Sequence, residues 1–222
     1  MKKQGTMTVP APWALMGTGY IILLKMSRAY VKDACFVPES LKDSFAGGLG
    51  TVMYVDYHYS DAGPYQELLF IPGRFNCMSK KFFSITKIYV STRKSVVSGK
   101  NNWGIPKEFA SFERESLDKS SERISVSHKG KSIAELTFRS WPLQLPVTTT
   151  LVPRAWHTLC HYHDGRTLLT TPTARGCVSP SRLIDSRIDS SFFPDITKGC
   201  ILSALKVSNF FMVFPKAETF AV

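Results

Sequence analysis

A chain of 222 residues, 44% hydrophobic and 12% aromatic, is long enough to bury a sizeable core, and its fourteen glycines and thirteen prolines argue against a helical bundle. The formal charge of +11 raises the question of nucleic acid, but the basic residues (Lys25, Arg28, Arg74, Arg93, Arg114 and others) are scattered, with no basic run or basic helix. Such charge reads as a solvated surface, or as attraction for an anionic small substrate, so no nucleic-acid partner is expected.

The five cysteines, Cys35, Cys77, Cys160, Cys177 and Cys200, are widely spaced, odd in number and lack a Cys-x-x-Cys pair. That pattern predicts free thiols in a reducing compartment. No continuous apolar core follows Lys2-Lys3, and the run Gly19–Leu24 is too short to span a bilayer. A cytoplasmic protein with no membrane partner is expected.

In chain order, residues 1–12 read as a loose arm ending at Pro10-Ala11-Pro12. Tyr20 to Leu24 predicts a buried strand, and Met26 to Ala34 a helix stopped near Pro38. From Thr51 onward Val52, Tyr54 and Asp56 alternate with Met53, Val55 and Tyr57, the period of a strand. Gly63-Pro64 turns the chain into a strand over Tyr65 to Ile71. An extended segment holding Ile85, Ile88 and Val90 runs toward Val97. Two hairpins follow, one around Lys129-Gly130-Lys131 and one around His163-Asp164-Gly165. Pro142 and Pro146 mark an irregular connector, and Phe210 to Phe214 forms a last buried strand ended by Pro215. Many short strands with turn signals predict an antiparallel barrel or sandwich carrying a few short helices.

Lys107 is the first candidate for chemistry. It follows Pro106 and lies among Trp103, Ile105 and Phe109, which could form a dry wall around it. An amine attacks a carbonyl only when neutral, and an ordinary lysine, with a pKa near ~10.4, is neutral about once in a few thousand molecules at pH 7. Burial raises that fraction. An exposed turn lysine is the plain alternative. Glu67 is the second candidate, an acid inside the apolar run Tyr65–Pro72. It could face a pocket as a proton-transfer group, or face solvent from the polar side of a strand. The cluster His157, Cys160, His161, His163 and Asp164 supplies ligand types without zinc spacing, so it reads as an exposed hairpin tip and no metal is expected. Walker, Gly-x-Gly-x-x-Gly and Gly-x-Ser-x-Gly motifs are absent.

The residues Gly99-Lys100, Trp103-Gly104 and Pro106-Lys107, with Glu67 in a Tyr-x-Glu context and the step Phe36–Leu41, resemble the acetoacetate decarboxylase-like superfamily over most of the chain. The resemblance implies one domain over residues 1–222, a cone-shaped β-barrel of mainly antiparallel strands, and an active site inside it. It also implies that Lys107 forms a Schiff base with a keto acid or other carbonyl compound, with Glu67 beside it. Tyr65, Trp103, Ile105, Phe109 and Tyr54 would then shape the substrate pocket. No cofactor is implied, because the lysine supplies the electron sink, and a homo-oligomer is expected by resemblance.

Three departures from the family pattern bear on the reaction. Glu108 stands where the decarboxylases have a second lysine, although neighbouring strand residues point to opposite faces. The stretch Met16–Tyr20 lacks the arginine that grips a carboxylate. By ungapped count the second pocket glutamate falls at Val52, with Tyr54, Asp56, Tyr57 or His58 as partial replacements. These departures favour aldol condensation, dehydration or cyclisation by a lyase, as in secondary metabolism, over acetoacetate decarboxylation. Two other readings stay open: an enzyme of the same fold in which Lys107 only hydrogen-bonds the substrate, and a small-molecule binding module without turnover.

Overall fold

The computed structural model describes residues 8–221. Of the arm expected over residues 1–12, residues 1–7 lie outside that range. Val9 is fastened at both backbone atoms: its N–H donates to Ser98 Oγ at 3.0 Å, and its carbonyl accepts from Asn102 Nδ2 at 2.8 Å.

The first half of the chain runs β1 (Trp13–Lys25), α1 (Arg28–Ala34), β2 (Phe45–Gly47), β3 (Gly50–Ser60), β4 (Tyr65–Ile71), β5 (Arg74–Cys77), β6 (Lys80–Phe83), β7 (Lys87–Val90) and α2 (Arg93–Trp103). Then come β8 (Lys107–Phe109), β9 (Ser111–Ser116), β10 (Ser121–His128), β11 (Lys131–Ser140), β12 (Leu145–Thr148), β13 (Leu159–His163), β14 (Arg166–Thr170), β15 (Thr173–Ile188), β16 (Cys200–Phe214) and β17 (Glu218–Ala221). The molecule is mainly β with few helices, as the turn-rich sequence predicts.

The larger sheet has the order β8-β7-β4-β3-β1-β16-β15-β11-β10-β9, with β12 added on β15. Its first and last strands, β8 and β9, are separated in sequence by Ala110 alone. One stretch of chain therefore pairs with β7 at its start and with β10 at its end, and the sheet curls until its two edges meet. A smaller sheet, β17-β14-β13-β6-β5-β2, packs beside it.

Pairing is antiparallel throughout the larger sheet except between β7 and β8. Parallel neighbours need a crossover, and α2 supplies it. The sequence predicts a segment running from Ile85 toward Val97, whereas the chain turns into α2 after Thr92. Thr92 Oγ1 caps the helix by accepting from Ser95 N at 3.3 Å. The buried side of α2 is Ser95, Ser98, Gly99 and Trp103, three of them small and two polar, so the apolar helical period is missing from the sequence.

Alternation divides the apolar residues between two cores. On β4, Leu68 and Phe70 join a cluster with Tyr20, Ile22 and Phe138, while Tyr65, Leu69 and Ile71 join another with Trp13, Leu15 and Trp103. Strands buried on both faces read as continuous apolar runs, which is the pattern of Leu68–Ile71. β15, sixteen residues long, was not foreseen. It is rich in Ser and Arg, contains Pro180, and has few buried positions, so neither period nor composition marks it.

The cysteine expectation is corrected in one pair. Cys77 of β5 and Cys160 of β13 form a disulfide, and Cys35, Cys177 and Cys200 are free. The two residues are 83 apart in sequence but are brought together by the smaller sheet, a proximity that spacing alone does not show.

Candidate active site

The helix stop of α2 sets the position of Lys107. Gly104 adopts φ 66°, the left-handed conformation that favours glycine, and its N–H donates to the Lys100 carbonyl at 2.9 Å. Pro106, which cannot continue a helix, follows two residues later, and Lys107 opens β8. The lysine stem then lies across α2 at Gly99: a Cβ built there would stand 2.7 Å from Lys107 Cδ and 2.9 Å from Cε. A side chain at position 99 would therefore displace the lysine stem from its present path.

Lys107 Nζ donates to Glu67 Oε2 at 3.1 Å and to Ser95 Oγ at 3.1 Å, with the Tyr65 hydroxyl at 3.4 Å. The side chains of Lys107 and Glu67 are 4% and 6% exposed. The other oxygen, Glu67 Oε1, accepts from the Tyr57 hydroxyl at 3.0 Å. Aromatic faces close the shell, with Nζ 5.0 Å from the centre of the Tyr65 ring and 5.9 Å from that of Trp13. Burial, together with the adjacent Glu67 carboxylate, pushes the Tyr57 and Tyr65 hydroxyls well above their ordinary value, so both remain protonated donors.

The pairing register explains how distant residues meet. Lys107 pairs with Ile88 of β7, and Ile88 pairs with Leu69 of β4. Glu67 lies two residues from Leu69 and so presents its side chain on the same face. Tyr57 pairs with Tyr65 across β3 and β4, their rings 4.7 Å apart.

The residues singled out in the sequence distribute as follows. Lys107, Glu67, Tyr65, Trp103 and Ile105 all line one cavity of about 620 Å³. Trp103 is held by its indole N–H, which donates to the Pro215 carbonyl at 2.7 Å, and by edge contacts with Trp13 and Phe214. Tyr54 borders the cavity, but its ring packs in the other core near Phe112 and its hydroxyl accepts from Gln66 Nε2 at 2.8 Å. Phe109 is outside the lining; the Arg93 guanidinium covers its ring at 5.2 Å. Ser95 and Trp13 were not foreseen. Serine near a helix start reads as an ordinary first-turn residue, and Trp13 lies in a segment without a strand period.

The three departures also find places. Glu108 points away from Lys107 and binds Lys87 Nζ at 2.6 Å. Val52 is buried in the core opposite the cavity. Of the four residues weighed as replacements for an acid there, Tyr57 is the one hydrogen-bonded to Glu67.

Among the described residues no group of three His, Cys, Asp or Glu side chains is placed to hold a metal ion. The His157–Asp164 cluster is broken up differently from the exposed tip expected. Cys160 is in the disulfide, and His161 is buried with Nε2 accepting from Ile85 N at 3.1 Å, while Asp164 alone is fully at the surface. Burial lowers the His161 imidazole to about 4, so it is neutral near pH 7.

The family model for acetoacetate decarboxylase matches residues 20–168. No curated protein sequence matches the chain. Among solved structures, acetoacetate decarboxylase from Legionella pneumophila superposes with a TM-score of 0.70 at 12% identity, covering 96% of this chain and 88% of that one. An acetoacetate decarboxylase-like enzyme from Sphingomonas wittichii RW1 gives 0.72 at 10% identity, covering 100% and 97%. The enduracididine biosynthesis enzyme MppR, complexed with the condensation product of pyruvate and imidazole 4-carboxaldehyde, gives 0.66 at 13% identity, covering 99% and 92%.

Proposed function

The chain belongs to the acetoacetate decarboxylase family, and on that footing we propose that it is a lyase in which Lys107 forms a Schiff base with a carbonyl substrate. The observation that carries the reading is the buried Lys107–Glu67 contact at 3.1 Å, at the wall of a large cavity.

The chemistry follows from the partners of the amine. A proton passing from Nζ to Glu67 Oε2 leaves an amine and a carboxylic acid, a pair without net charge. The amine attacks the carbonyl carbon, the carbonyl oxygen takes a proton, and loss of water gives an iminium. The iminium withdraws electrons from the adjacent carbon. Breaking a C–CO2⁻ bond or removing a C–H proton there sends the electron pair to nitrogen and forms an enamine. Protonation of the enamine carbon and hydrolysis return the lysine and release product. In this reading Glu67 accepts and returns these protons, and its contacts with Lys107 Nζ and the Tyr57 hydroxyl support that role. Ser95 and Tyr65 orient Nζ from the remaining sides.

The position of Glu108 supports this reading, since its carboxylate pairs with Lys87 and not with Lys107. The Met16–Tyr20 stretch of β1 offers no arginine beside the amine, which supports condensation, dehydration or cyclisation over decarboxylation of a small β-keto acid.

Exchange of the carbonyl oxygen in ¹⁸O-water tests the proposal, because forming and hydrolysing an imine replaces that oxygen. The wild type should exchange the oxygen of a ketone substrate and Lys107→Arg should not. Turnover retained by Lys107→Arg would favour an enzyme in which the side chain only hydrogen-bonds the substrate.

A further inference from the structure

The cavity extends well beyond the polar group at Lys107, and its walls change character along the way. Glu67 pairs with Val55, which pairs with Gly19; these three form the row nearest the amine. The next cavity-facing row is Leu69, Met53 and Ile21, and the one after it is Ile71, Thr51 and Leu23. Two rows on is four residues along each strand, about 13 Å at ~3.3 Å per residue. In these two rows Thr51 supplies the single hydroxyl.

The volume exceeds what a small keto acid needs. The cavity measures about 620 Å³, and most of its lining is apolar. It falls within the range of pockets that enclose drug-sized ligands, ~300–1,000 Å³. Charged recognition is sparse: among the described residues that line the cavity the one arginine, Arg175, is exposed and stacked on the Phe211 ring at 5.6 Å.

We infer that the substrate is a carbonyl compound bearing a long apolar group, with its carbonyl at Lys107 and that group laid along Leu69 toward Ile71. The assignment of the carbonyl end rests on the Schiff-base reading above; the assignment of the apolar end rests on the wall.

Matched 2-alkanones and 2-alkanols of about four to about ten carbons test it, with binding read from the change in tryptophan fluorescence, since Trp13 and Trp103 line the cavity. Affinity should rise about three- to fourfold per methylene in both series. In Ile71→Trp the rise should stop at a shorter chain. Affinity that is flat or falls with length in the wild type overturns the inference, and so does a rise that Ile71→Trp leaves unchanged. Alcohols form no imine, which separates the two readings. A length-dependent alkanol series with no borohydride-trapped ketone upholds the apolar group and removes the Schiff base. Trapping of Lys107 by short and long ketones without length dependence does the reverse.

Discussion

Lys107 Nζ lies 3.1 Å from Glu67 Oε2, the two side chains approaching from β8 and β4 across the intervening β7. Both are nearly excluded from water, so removing either one leaves a buried group without its partner of opposite charge. Breaking such a pair costs about 3–5 kcal/mol, whereas replacing both members by apolar residues is often neutral. Glu67→Leu should therefore lower stability by about that amount, and the double variant Glu67→Leu/Lys107→Met should recover most of it. Urea denaturation of the three proteins checks this; equal loss in single and double variants would mean that the contact is not coupled.

Glu67→Gln keeps the shape and loses the proton acceptor. Turnover of any substrate found should fall about 10²- to 10⁴-fold, with smaller change in binding. Steady-state kcat against KM is the readout, and an unchanged kcat would move the proton-transfer role elsewhere.

Gly99→Ala separates fold from function. Alanine favours a helix interior over glycine by about 1 kcal/mol, so α2 should hold. The new methyl would stand 2.7 Å from Lys107 Cδ and must displace the stem. Misplacing a reacting group by about 1 Å can cost ~10²-fold. A melting temperature at or near the wild-type value with kcat down by about that factor is expected.

His161 gives a pH dependence of stability. Burial holds it at about 4 against an ordinary 6.5. Between these values the unfolded chain binds a proton that the folded protein does not, so stability is full above pH 6.5 and is lost as pH falls toward 4. The loss amounts to roughly 3 kcal/mol. In His161→Gln, whose amide oxygen can still accept from Ile85 N, the dependence should flatten between those pH values. Unfolding free energies measured across that range check both.

The sequence exposed the polar centre better than the frame around it. Lys107 and Glu67 stand out because a lysine after proline and an acid in an apolar run are both costly to bury. The strand Tyr65–Ile71 was legible to the residue from its turn and its apolar run. Tyr54 borders the cavity, but strand parity turns its ring into the other core. Phe109 shares the parity of Lys107, yet its ring lies under the Arg93 guanidinium, a contact that no local pattern encodes. α2 was hidden because its buried side is serine and glycine, and that same smallness is what lets Lys107 pass across it. The Cys77–Cys160 pair depended on strand neighbours in the smaller sheet, which no local pattern encodes.

Borohydride reduction in the presence of a panel of ketones, aldehydes and keto acids, followed by peptide mass mapping, tests the central claim most directly. The account predicts a reduced adduct on Lys107 that is absent in Lys107→Ala. A folded protein that yields no lysine adduct across the panel, or one modified only at an exposed lysine, would contradict it.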